Sequence, residues 1–226
     1  MTAADPAYET YWMRKKLLRQ GAPQFPIRRW WESDGLCEIE QLYFDAIRTS
    51  PSVLDVGAGD LRIMDKLKRA GYGGDYHTQD VGTEGTYTYR DLDEIRRRYG
   101  AILCLDVVEH LTLQEGLTLI RKMISLLEGG GVLVIQTPNA AYIPDPKSWD
   151  MTHVQTYNAG DLWAFLTCEG LEATAYRVVF RDPNPGPIVS ARLAITAYVK
   201  RRVLGCDFAN NIAVIARKPI RATPDR

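Results

Sequence analysis

Residues 52–60, Ser-Val-Leu-Asp-Val-Gly-Ala-Gly-Asp, constrain the architecture of this chain more than any other stretch. An apolar, β-rich run reaches an acid at Asp55 and enters a turn with glycine at positions 57 and 59. Glycine there can adopt φ > 0, and without a Cβ it lets a ligand lie directly on the backbone. A helical period begins at once near Asp60. Strand, glycine turn and helix in this order belong to a parallel sheet whose site lies at the carboxyl ends of its strands.

The alternation continues downstream. Strands are expected at Val53–Val56, Tyr76–Val81, Ala101–Asp106, Val132–Gln136, Ala173–Phe180 and Ile212–Ala216, with a weak one near Tyr87. Helices are expected at Asp60–Ala70, Leu92–Tyr99, Leu113–Leu127 and Ala159–Cys168, the third stopped by Glu-Gly-Gly-Gly. Residues 1–50 differ: they are aromatic and basic, with Pro23 and Pro26 between helical segments near Tyr8–Arg19 and Glu38–Arg48. This part reads as a helical cap. Asp182–Pro187 holds three prolines and leads into the apolar and basic Ile188–Leu204 segment, an insert before the last strand and a plausible lid or homodimer surface.

The 226 residues suit one α/β domain with additions. Lys plus Arg and Asp plus Glu number 28 each, so no overall field draws the chain to nucleic acid or an anionic membrane. That disfavours a long nucleic acid partner and leaves a short one open. Cys37, Cys104, Cys168 and Cys206 show no paired spacing and read as reduced core thiols. With no basic and apolar leader and no stretch of bilayer length, the expectation is a cytoplasmic protein without a membrane partner.

Two cofactor classes use such a glycine turn. A dinucleotide site reads Gly-x-Gly-x-x-Gly and seats a pyrophosphate on the helix N-terminus. Here Arg62 replaces the third glycine, and the Asp60 carboxylate would repel phosphate. An NAD-dependent oxidoreductase therefore becomes the remote reading, while a cationic ligand suits the acids. The Asp-x-Gly-x-Gly order of residues 55–59 resembles motif I of the class I S-adenosylmethionine-dependent methyltransferases. Further segments match that family in order over roughly residues 50–217, and the tail through Asp150, His153, Tyr157 and Glu169-Gly170-Leu171 is similar to ubiquinone-pathway, natural-product and sugar O-methyltransferases.

The resemblance implies an α/β fold: a Rossmann-like, seven-stranded, mostly parallel sheet with helices on both faces. It implies a methyltransferase domain over residues 51–226, with the insert at about 182–208, behind the helical cap of residues 1–50. It implies S-adenosylmethionine held by Asp55, Gly57, Ala58 and Gly59, with Asp80 at the ribose hydroxyls and Val81 beside it. Asp91 and Leu92 would meet the adenine, and Leu105 and Asp106 the methionine part. Asp93 is close enough to exchange roles with Asp91, and either could cap the next turn. The chain departs from the family at Tyr99-Gly100, where Phe-Asp is usual. Gly57→Val is expected to remove cofactor binding and leave the fold.

A sulfonium is already an activated electrophile, so a hydroxyl acceptor needs only alignment and a base or metal. His110 and His153 fall in loops at strand ends and are the candidate catalytic groups, with Asp150 beside His153, whereas His77 lies in a strand and reads as structural. Asp106, Glu109 and His110 stand at i, i+3 and i+4, one face if the exit is helical, and His153 could join them. Such a set would suit Mg, Mn, Fe or Co, and it resembles the metal site of the small-RNA 2′-O-methyltransferases. The bland reading, a metal-free histidine base or a structural Glu-His pair, stays open.

The leading expectation is O-methylation of a small-molecule phenol, sugar or natural-product hydroxyl. Trp12, Phe25, Trp30, Trp31 and Trp149 would cover the acceptor. Small-molecule N-methylation and metal-assisted RNA ribose 2′-O-methylation remain as alternatives. The RNA reading draws on Arg14, Lys15, Lys16, Arg19, Arg28 and Arg29 among aromatics.

Overall fold

The structure is a computed structural model, and it describes residues 35–82, 85–142, 145–148, 150–179, 186–203 and 209–220. Helices are α1 Glu38–Ile47, α2 Arg62–Arg69, α3 Leu113–Leu126, α4 Ala159–Cys168 and α5 Pro187–Tyr198. Strands are β1 Ser52–Val56, β2 Asp75–Gln79, β3 Tyr99–Leu105, β4 Leu127–Pro138, β5 Glu172–Val178 and β6 Asn211–Arg217. They form one six-stranded sheet in the order β2-β1-β3-β4-β6-β5. The pairs β2–β1, β1–β3 and β3–β4 are parallel, and β6 runs antiparallel between β4 and β5. This is the expected Rossmann-like sheet with six strands rather than seven: near Tyr87 only a Gln79–Tyr89 bridge forms.

The period-two alternation of a strand buried on both faces separates two apolar layers. Leu54, Val56, Ile102, Cys104, Leu133 and Ile135 pack with Ile120 and Met123 of α3 and Leu162 and Leu166 of α4. Val53, Ala101, Leu103, Val132 and Val134 pack with Tyr43 and Ile47 of α1 and Leu67 of α2. The Glu40 carboxylate accepts from Lys66 Nζ at 2.8 and 2.9 Å, pinning α1 to α2. Lys66 is buried, so removing Glu40 would leave its charge stranded, a change that costs roughly 3–5 kcal/mol.

Three expectations change. The Leu92–Tyr99 helix is a single turn, Leu92–Glu94, after which Ile95 is extended. Tertiary contacts outweigh the helical period: Ile95 and Tyr99 enter the core, and Arg97 stacks 5.1 Å from the Tyr99 ring while pairing with Asp75. Glu-Gly-Gly-Gly stops α3 as expected, yet its residues run straight into β4. Of the thiols, Cys104 is core, whereas Cys37 and Cys168 are exposed and unbridged. Cys206, the Tyr8–Arg19 helix, the Trp and Phe cluster and the basic residues 14–29 lie outside the described residues. Among the described residues no helix is long and apolar enough to cross a membrane.

Candidate active site

The carboxyl ends of β1, β2, β3 and β4 open into a cleft of about 2150 Å³. That exceeds the ~300–1,000 Å³ of a single small-ligand pocket and leaves room for a cofactor and an acceptor together. Asp55, Gly57, Ala58, Gly59, Asp80, Val81, Asp91, Leu92, Leu105 and Asp106 all line it, as do Glu109, His110, Asp150 and His153.

On the cofactor side, Gly57 and Gly59 take φ of 71° and 53°. The amides of Gly57 and Ala58 both donate to the Gln79 carbonyl, at 2.8 and 3.1 Å. The Gly59 amide donates to Asp80 Oδ2 at 2.8 Å, and Gly82 donates to Oδ1 at 2.7 Å. Asp80 therefore clamps the turn onto the end of β2. A pyrophosphate needs these N–H groups, and a carbonyl and a carboxylate already take them. What faces the ligand is acid, which fits a sulfonium and an ammonium.

Asp55 is buried and accepts from Tyr76 Oη at 2.8 Å. Burial pushes its carboxyl up to about 7, with the Tyr76 hydrogen bond pulling the other way. A cation beside it would restore the ionised form. Asp91 lines the cleft and also caps the Leu92 turn through the Asp93 amide at 2.9 Å. Asp93 turns outward to Lys122 at 2.7 Å, whereas Asp91 lines the cleft. Gly57→Val changes meaning: a Cβ at Gly57 would lie 2.3 Å from Val107 Cγ2, so the substitution strikes the protein itself before any ligand.

On the acceptor side, the exit of β3 is a single turn, Val108–His110, preceded by Asp106 at φ 56° and a non-helical Val107. The i, i+3, i+4 face therefore does not form. Asp106 is drawn away, accepting from Gln136 Nε2 at 2.9 Å and Asn211 Nδ2 at 3.0 Å. Glu109, His110 and His153 do converge, with one possible ligand atom from each lying within 4.8 Å of the others. Asp106, expected as a ligand, is not in that group.

The two imidazoles are held alike. His110 Nδ1 lies 3.2 Å from the Thr152 carbonyl and 3.0 Å from Thr152 Oγ1. His153 Nδ1 lies 3.0 Å from the Pro146 carbonyl. A carbonyl only accepts, so each Nδ1 carries the proton and each Nε2 is the accepting nitrogen. Asp150 does not bond His153 through its side chain; its Oδ1 accepts from Thr152 Oγ1 at 2.7 Å and from the Thr152 amide at 2.9 Å. Glu109 Oε2 accepts from Thr137 Oγ1 at 3.0 Å.

The family model described as a methyltransferase domain matches residues 29–184. The chain belongs to the methyltransferase-domain family. It is a class I S-adenosylmethionine-dependent methyltransferase, and its fold recurs in solved structures. A SAM dependent methyltransferase from Archaeoglobus fulgidus superposes with a TM-score of 0.61 at 16% identity, over 79% of this chain and 90% of that one. The cyclase SpnF gives 0.62 at 15% identity over 94% and 95%. The plantazolicin methyltransferase BpumL, bound to SAH and a desmethylPZN analog, gives 0.55 at 14% over 94% and 95%. No curated protein matches.

Several residues of this methyltransferase site carry no motif. Tyr43 of α1 donates to Gln136 Oε1 at 2.6 Å, and Gln136 in turn holds Asp106. Asn211, at the start of β6, completes that clamp. Thr152 links Asp150 to His110. The only sequence signal for Thr152 is its place two residues after an Asp, the spacing of a local Asx turn. Gly116 is demanded by Tyr157, whose Oη stands 2.3 Å from where a Cβ would be. His77, read as structural, bonds Tyr99 Oη at 2.7 Å within the sheet.

Proposed function

We propose that this methyltransferase transfers the methyl group to a hydroxyl of a small-molecule acceptor seated against the His110–His153 pair, whose rings meet edge to face with centres 5.0 Å apart. The paired Nδ1 contacts carry the reading: both rings are fixed by main-chain carbonyls so that Nε2 accepts. S-adenosylmethionine, when bound, supplies the activated methyl group. Asp55, Asp80 and Asp91 line its part of the cleft, and the Gly57–Gly59 turn lets it lie on the backbone. An imidazole Nε2 then takes the hydroxyl proton, the step general-base catalysis requires. The test is a screen of phenols, sugars and other hydroxylated acceptors, with the methylated atom located by NMR. Products methylated only on nitrogen would overturn the hydroxyl reading.

A second reading is favoured by the convergence of Glu109, His110 and His153. Carbonyl partners on both Nδ1 atoms and a Thr137 partner on Glu109 resemble the outer support that metal-ligating side chains receive. These residues fit a divalent ion such as Mg, Mn, Fe or Co, which would hold two acceptor oxygens and lower a hydroxyl pKa. Chelation followed by re-addition of each ion tests it: activity that survives complete metal removal excludes this route and keeps the first.

A further inference from the structure

The insert between β5 and β6 presents a surface unlike the rest of the described molecule. No residue of α5 is buried. Ile188, Ile195, Val199 and Val203 stand at i, i+7, i+11 and i+15, a spacing that shares one helix face, and are 84, 65, 39 and 68% exposed. Leu193 and Tyr198 are exposed as well, at other positions around the helix. A contiguous patch of this kind marks a contact site.

The charge of the segment identifies the partner. Residues 186–203 hold Arg192, Lys200, Arg201 and Arg202 and no acid, and with Asp182 and Asp207 at its two ends the insert of residues 182–208 carries +2 in a chain whose net charge is 0. Overall neutrality conceals this local field. A second copy laid on this segment would set like charge against like charge. Anionic headgroups above an apolar layer complement both features, because Lys and Arg can keep their charges at the headgroups while neighbouring apolar side chains enter. Lys200 Nζ lies 5.6 Å from the ring centre of Tyr142, which lines the cleft, so the segment adjoins the site's rim.

We propose that α5 and the Val199–Val203 turn dock on an anionic lipid surface, holding the rim of the cleft against it. The helix lies on the bilayer and does not span it. Headgroup attraction decays within a Debye length, ~10 Å at moderate salt, so the four cations of this segment, which outnumber the two bracketing acids, govern the local field. The inference is independent of the acceptor proposed above.

Flotation of the full chain with phosphatidylcholine vesicles, with and without phosphatidylglycerol, tests it. Expected is binding at least about tenfold stronger to the anionic vesicles and weakened by salt, since each basic residue near the surface contributes. The double variant Lys200→Glu/Arg202→Glu should lower partitioning by about tenfold or more, and Ile188→Asp/Ile195→Asp should remove it. Arg202, Ile188 and Ile195 are exposed and Lys200 is half-buried, and unchanged S-adenosylmethionine titration would show both variants folded. The proposal is overturned by no binding to either vesicle, by binding indifferent to salt and to these variants, or by light scattering that shows a dimer dissolved by Ile188→Asp/Ile195→Asp without vesicle binding.

Discussion

On the cofactor side of the cleft, polar contacts join backbone amides to groups at the ends of two adjacent strands, whereas on the acceptor side they join side chains drawn from far along the chain. Gly57, Ala58 and Gly59 are tied to Gln79 and Asp80. Opposite them, Glu109 meets Thr137, His110 meets Thr152, Gln136 meets Tyr43 and Asp106 meets Asn211. A backbone cradle tolerates change in every side chain except its glycines and its clamp. A side-chain assembly can be re-tuned one residue at a time, which is how one fold can keep its cofactor while its acceptor changes.

The largest expected effect separates the two halves. His153→Ala should lower kcat by roughly 10²–10⁴, the usual contribution of a positioned base, while the dissociation constant for S-adenosylmethionine stays within about twofold, measured by calorimetry. A parallel loss of cofactor affinity would merge the halves. Asp80→Ala should do the reverse, weakening cofactor binding by ~10–100-fold through loss of charge-assisted hydrogen bonds to Gly59 and Gly82. Gly57→Val is a poorer probe, since its clash with Val107 should lower the melting temperature as well.

A pH effect of about tenfold at most should follow from Asp55. Its carboxyl is raised from 3.8 to about 7 in the folded protein, so the unfolded chain releases the proton first. Without ligand, Asp55 favours the fold most below pH 4, and that contribution is lost as pH rises from about 4 to about 7. A bound cation favours the carboxylate, so cofactor affinity should increase as pH rises through about 7. Asp55→Asn, titrated at pH 6 and pH 8, should flatten this dependence. The smallest effect expected is at Thr152. Thr152→Val removes the hydroxyl between Asp150 and His110 and should lower kcat several-fold, or ~1 kcal/mol, a typical net hydrogen bond. Thr152→Ser should restore it.

The sheet was legible because its signals are local. Short continuous apolar runs mark strands buried on both faces, and the expected β1 and β4 runs fall inside the observed strands while the β3 run overshoots by Asp106. α4 matches its expected bounds because Asn158 caps it, accepting from Asp161. The Leu92–Tyr99 helix failed where long-range packing of Ile95, Arg97 and Tyr99 outweighed a helical period. Exposed Cys37 and Cys168 failed for a similar reason, since residue type alone does not say which face is covered.

By itself, the sequence determined the cofactor class. Acids and glycines at fixed short spacings act on neighbouring backbone, so their chemistry survives without knowledge of distant partners. Only the tertiary structure decided the acceptor side. It turned Asp106 away to Gln136 and Asn211, brought His153 beside Glu109 and His110, and set both rings by carbonyls at Thr152 and Pro146. Those choices depend on the left-handed backbone at Asp106 and on contacts spanning up to 105 residues. Neither leaves a periodic trace in the chain.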